Sequence, residues 1–204
     1  MKNFIFWSLV IIFSLVIGHF TFASAWTITP DLAQEIAAKE KTVQLHPHDP
    51  YAYFDLAISY AYSNKVEEGW ATLKKVVEID PKYPPLGLRT CQEKAIRDPN
   101  DWKLRFRLAF ALYFNNRKDE AIEQFENVLK IDPKNIWAYG YIAMILGEQG
   151  KVDKAVEYTK KAIALDSNVA VLHYLLGQGY YKQNLGWLGF VETMEALRLR
   201  SIGY

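Results

Sequence analysis

Apolar and polar residues alternate with helical spacing along residues 50–203, and the arrangement returns every 34 residues. Four copies superpose without gaps, starting at Pro50, Trp102, Ile136 and Ala170. Column 7 of the copies holds Leu56, Leu108, Ile142 and Leu176; column 8 holds Ala57, Ala109, Ala143 and Gly177; column 11 holds Tyr60, Leu112, Leu146 and Tyr180. These three columns share one helical face. Columns 20 (Gly69, Ala121, Ala155, Gly189), 27 (Val76, Val128, Ala162, Ala196) and 30 (Ile79, Ile131, Leu165, Leu199) share the face of a second helix. The small residues of columns 8 and 20 predict close approach of the two helices. Between them, Asn64, Asn115–Asn116, Gly150 and Asn184 supply residues that tolerate a left-handed backbone. Asp80-Pro81 and Asp132-Pro133 follow the second helix, where proline ends one helix and suits the start of the next.

A 34-residue unit of two helices, stacked into a solenoid, resembles the tetratricopeptide repeat family. The resemblance covers residues 50–83, 102–135, 136–169 and 170–203. It departs from the family pattern at column 4, where Tyr53 and Tyr139 alternate with Arg105 and His173. It departs again at column 24, where Phe125 stands beside Leu73, Thr159 and Thr193. The resemblance implies an all-α fold, a TPR-type helical-hairpin solenoid with right-handed superhelical twist, whose curved surface holds another protein. It also implies that columns 2, 5, 9 and 12 line the inner groove. Projected here, they give Tyr51, Phe54 and Ile58; Phe106, Phe110 and Tyr113; Trp137 and Met144; and Tyr174, Gln178 and Tyr181 as the partner-binding residues. Such an aromatic lining suits an apolar protein or peptide segment. Family members that grip acidic chaperone tails carry Lys at column 5 and Asn at column 9. Here those columns hold Phe54, Phe106, Gly140 and Tyr174, then Ile58, Phe110, Met144 and Gln178, so that clamp is absent.

Two segments lie between or before the copies. Residues 31–45, opened by Thr29-Pro30-Asp31, predict a helix within an N-terminal capping segment, 26–49. Residues 84–101 are about half a repeat long; they predict a single helix over 85–97, with Leu88, Cys91 and Ala95 on one face.

The first 25 residues differ in kind. Phe4 to Ile17 is apolar apart from Ser8 and Ser14, and Ala23-Ser24-Ala25 follows. This is the pattern of a secretory signal peptide, with an uncleaved anchor over residues 4–22 as the alternative. Either places the repeats across a membrane, exported to a periplasmic or secreted location or tethered there. The formal net charge of +1, with Lys and Arg spread out, gives no reason to expect nucleic acid as a partner.

Candidate chemistry changes the picture little. His46-Pro47-His48-Asp49 matches no common metal-ligand spacing and reads as a polar turn. Cys91 has no second cysteine to pair with and reads as a small buried residue. Glu67, Glu68, Glu120 and Glu123 begin second helices, where carboxylates complement the helix dipole. No catalytic constellation or cofactor motif emerges. The sequence therefore predicts a non-enzymatic binding scaffold without a cofactor, serving an envelope or membrane complex. A second class is a self-associating oligomer that stacks through its terminal repeats, fed by Trp187, Leu188, Phe190 and Val191. The N-terminal reading has a direct check: mass spectrometry of the native protein should show a mature chain beginning at Trp26. An intact Met1 in the membrane fraction would establish the anchor instead.

Overall fold

The computed structural model describes residues 28–204; the signal or anchor reading and its Ala23-Ser24-Ala25 site fall outside them. Among the described residues there are ten α-helices: α1 (Pro30–Leu45), α2 (Pro50–Ala61), α3 (Val66–Ile79), α4 (Tyr83–Arg97), α5 (Trp102–Phe114), α6 (Lys118–Ile131), α7 (Ile136–Glu148), α8 (Val152–Leu165), α9 (Ala170–Lys182) and α10 (Gly186–Ser201). Helices α2–α3, α5–α6, α7–α8 and α9–α10 form antiparallel hairpins, and each stacks on the next.

Local chemistry sets the helix ends. Asp49, Asp101 and Asn135 cap the first helices of three units, their side chains accepting from Tyr51 N at 2.9 Å, Lys103 N at 2.7 Å and Ala138 N at 3.0 Å. Asp49 thus serves the polar turn expected of the His46–Asp49 segment. Column 15 of every unit is left-handed, at Asn64, Asn116, Gly150 and Asn184 with φ of 61°, 59°, 76° and 61°. Only Asn116 of the Asn115–Asn116 pair takes this conformation. Asn115 instead donates from Nδ2 to the carbonyl oxygens of Ala111 and Pro84, both at 2.8 Å, tying α5 to α4.

Within each hairpin, columns 8 and 20 meet as expected. A Cβ added to Gly69 would lie 3.1 Å from Ala57 O, and one on Gly177 would lie 3.0 Å from Gly189 O. Ala109 and Ala121 are fully buried. Column 27 is buried in all four units, whereas column 30 is not: Ile131 and Leu165 are exposed and only Leu199 is sealed. In α6 and α8 that column is the last residue of the helix, beyond the reach of the following unit.

Helix α4 begins at Tyr83, two residues earlier than expected, because Pro84 and Pro85 fit its first turn. It makes the contact with α5 that α6 makes with α7 and α8 with α9, while barely touching α3. Tyr83 packs on Phe54 with ring centroids 6.0 Å apart. Cys91 is buried in this layer, and burial pushes its thiol up to about 12, so it stays a protonated apolar filler at neutral pH. The wedge leaves an apolar cleft of about 120 Å³ between α3, α4 and α5, floored by Phe54 and Phe114.

Overpacking tests the hairpin contact. Ala121→Leu should lower stability by about 1–3 kcal/mol, and Ala155→Leu by a similar amount, in thermal or denaturant melts. Lys154→Ala, on the exposed side of α8, should stay within about 0.5 kcal/mol of the parent.

Candidate binding surface

The residues expected to line an aromatic groove separate into two groups. Phe54, Ile58, Phe106, Phe110 and Trp137 are interior, between 0% and 7% exposed, and so form no free surface. Phe106 and Phe110 sit in an aromatic cluster with Phe125 and Tyr141, whose ring centroids lie 4.7–5.8 Å from one another. Tyr141, from the first helix of the third unit, also donates from its hydroxyl to Ala61 O at 3.0 Å, so three units converge there. The physical reason for the correction is the close stacking itself: aromatics at columns 5 and 9 of the first two units fill the gap between helices. Tyr51 is half-buried, with the Lys94 ammonium of α4 4.2 Å from its ring centroid and donating to its hydroxyl.

The second group remains accessible. Tyr113, Met144, Tyr174 and Gln178 are half-buried and Tyr181 is exposed. Met144 and Gln178 come together in a small cleft between α7, α8 and α9, lined also by Gly147, Leu175 and Lys182. The Tyr113 hydroxyl donates to Glu148 Oε1 at 2.8 Å, Lys118 pairs with Glu148 at 2.7 Å, and Lys182 Nζ donates to Gly147 O at 3.0 Å. The expected apolar trough is therefore a mixed strip running from Tyr113 through Met144 to Gln178, with a carboxylate and two ammonium groups on its border. Gly147 lines the cleft without a side chain, whereas Gly140 is buried beneath Leu172.

A second constellation escaped the sequence reading. Glu35 and Lys39 of α1 meet Asp55, Ser59 and Tyr62 of the first unit and Lys103 and Arg107 of the second. Lys39 Nζ lies 3.0 Å from both Glu35 Oε1 and Asp55 Oδ2 and 2.7 Å from Ser59 Oγ. Arg107, only 8% exposed, pairs with Asp55 and lies 3.5 Å from Glu35; Lys103 and the Tyr62 hydroxyl both donate to Glu35. Burial alone would raise the Glu35 carboxyl, but the hydrogen bonds from Lys103, Tyr62, Lys39 and Ser59 outweigh it and hold it well below the usual carboxylate range. The Lys39 pKa is also lowered: burial and the Arg107 charge lower it against the pull of Asp55 and Glu35. Glu35 accepts from Lys39, Ser59, Tyr62 and Lys103. The signal was present in column 6, where Asp55 and Arg107 occupy equivalent places in successive units and so come side by side on stacking. The network fastens α1, whose apolar contribution is a small cluster of Ile36 with Leu56 and Tyr60.

His173 makes a similar polar weld, with Nδ1 2.7 Å from Glu192 and Nε2 3.0 Å from Ser167 O. Among the described residues no group of three or more His, Cys, Asp or Glu is placed to hold a metal ion. No helix of those residues is long and apolar enough to cross a membrane.

Comparison with known proteins agrees with this architecture. Residues 102–135 and 119–179 match the tetratricopeptide repeat family. A TPR repeat-containing protein of Methanocaldococcus jannaschii is 26% identical over 152 residues, which is 61% of this chain and 27% of that protein. The peroxisomal targeting signal receptor of Candida albicans is 26% identical over 168 residues, 70% of this chain and 28% of the receptor. The chain thus spans little more than a quarter of the length of these two relatives. Among solved structures, a crystal structure of MamA superposes with a TM-score of 0.55 over 84% of each chain at 17% identity. A second MamA structure gives 0.54 over 76% of this chain and 98% of that one at 18% identity. Fold and repeats together define the class: an all-α helical solenoid of tetratricopeptide-repeat type. Within it, the stretch 102–179 carries the family pattern itself.

The charge network makes a pH prediction. Glu35 has a folded-state pKa below its unfolded value of roughly 4.3, so its stabilisation is present above that pH and is lost as pH falls toward the folded pKa. Stability should therefore decline below about pH 4. Glu35→Gln should be less stable at pH 7 and show a flatter acid limb in melts taken from pH 7 to pH 3.

Proposed function

We propose that this protein is a non-enzymatic scaffold that holds a protein or peptide segment along the Tyr113–Met144–Gln178 strip. The carrying observation is geometric. Met144 and Gln178, the open residues of column 9 in units three and four, meet in the cleft between α7, α8 and α9, and Tyr113 of unit two is joined to the same helix α7 through Glu148. The strip offers an apolar thioether, two half-buried tyrosines at 113 and 174, and amide and charged groups at its margin. That mixture suits an extended segment with one or two apolar anchors and free backbone groups. The likeness to a targeting signal receptor supports a role in reading a peptide, although this chain matches only part of that protein.

The scaffold works outside the cytoplasm, exported or held at the membrane by residues 4–22, in the assembly or upkeep of an envelope or membrane complex. The apolar run and its small-residue site support this address.

The test uses the partner recovered from an envelope extract, titrated against purified protein. Met144→Glu places a charge in the cleft and should weaken binding at least tenfold, while helicity and melting temperature stay near the parent. Phe110→Ala should lower the melting temperature, since it opens a cavity in the aromatic core, yet leave the affinity of the folded protein within about threefold. Wild-type affinity in Met144→Glu would overturn the assignment of the strip.

A further inference from the structure

The last helix, α10, carries an apolar stripe on its outer face. Trp187, Phe190, Val191 and Met194 follow at i, i+3, i+4 and i+7 and are 74%, 48%, 43% and 48% exposed. The Trp187 and Phe190 rings stack with centroids 5.7 Å apart. The opposite side of the helix, through Gly189, Ala196 and Leu199, is packed against α9.

Earlier units show what the outer face of a second helix ordinarily holds. The place of Trp187 is taken by Glu67, Asp119 and Asp153; that of Leu188 by Glu68, Glu120 and Lys154; that of Met194 by Lys74, Glu126 and Lys160. The place of Phe190 is apolar throughout, as Trp70, Ile122 and Val156, and is at least half-buried in those units. An open end alone would therefore uncover Phe190. It does not account for apolar residues in columns that are charged elsewhere.

We propose that this stripe is the docking surface for a second copy of the chain, through antiparallel packing of α10 on α10. The spacing of the stripe, three, one and three residues, reads the same in both directions. A two-fold axis between Phe190 and Val191 then sets Trp187 of each copy against Met194 of the other. The stripe together with Leu188 exposes on the order of 500 Å², against about 800 Å² per partner in a standard-size interface, before any polar rim is counted. Charge favours protein over an anionic lipid surface. Between Gly186 and Leu197 the helix has no Lys or Arg, and its acidic residues are engaged within the copy, Glu192 with His173 Nδ1 at 2.7 Å and Glu195 with Arg198 at 2.6 Å. The inference stands on α10 alone and is independent of the strip on units two to four.

Sedimentation equilibrium of the full chain, in buffer with a mild non-ionic detergent, tests it. The parent should reach twice the single-chain mass as concentration rises. The variant Trp187→Asp, Val191→Glu, Met194→Lys places in α10 the residue types that earlier units carry at those columns. It should keep its circular dichroism and sediment as a monomer. If the triple variant loses helicity, Trp187→Asp alone decides, with self-association weakened at least tenfold. A parent that stays monomeric throughout, or a folded variant that still dimerises, overturns the proposal. So does a monomeric parent that floats with phosphatidylcholine–phosphatidylglycerol vesicles while the variant does not, which would assign the stripe to lipid.

Discussion

The structure depends on the close approach of paired helices at columns 8 and 20. Where Gly69 faces Ala57 and Gly177 faces Gly189, a single added methyl would press against a backbone oxygen. Ala109 and Ala121 are sealed at the same crossing. With helices this close, the larger side chains of each hairpin are driven to its edges, where only the next hairpin can cover them. Stacking is therefore obligatory, and each unit becomes a wall of its neighbour's core.

That constraint explains where the aromatics went. Phe106 and Phe110 are large, sit on first helices and belong to columns that face a groove in the family the repeats resemble. They are nevertheless interior, because Tyr141 and Phe125 close over them. The surface left for recognition is then set by smaller or more polar residues. Gly147 presents no side chain at the cleft between α7, α8 and α9, and Met144 and Gln178 become its accessible groups. The wedge α4 acts on the first unit in the same sense: its Tyr83 packs on the buried Phe54, while its Lys94 engages Tyr51, which stays half-buried.

The helices, their pairing and their left-handed turns were legible in the sequence because they follow from local rules: period, small-residue columns, Asn or Gly at column 15, and prolines at helix starts. The site was legible only in part. Column membership says which way a residue points from its own helix, but not how far the neighbouring helix comes over it. That distance depends on contacts such as Tyr141 to Ala61, eighty positions apart. The ion network around Glu35 was hidden for a related reason. Asp55 and Arg107 share a column, but the α1 residues that join them lie outside the repeat.

Hydroxyl-radical footprinting of the free protein, read residue by residue by mass spectrometry, tests the central claim most directly. Close stacking seals the first-helix aromatics and leaves a mixed strip for recognition. The account predicts slow oxidation of Phe106, Phe110 and Trp137 with rapid oxidation of Tyr113 and Met144 under conditions that keep the protein folded. Oxidation of Phe106 and Phe110 at rates equal to those of Tyr113 would contradict it, and would return the aromatic columns to the surface as the groove.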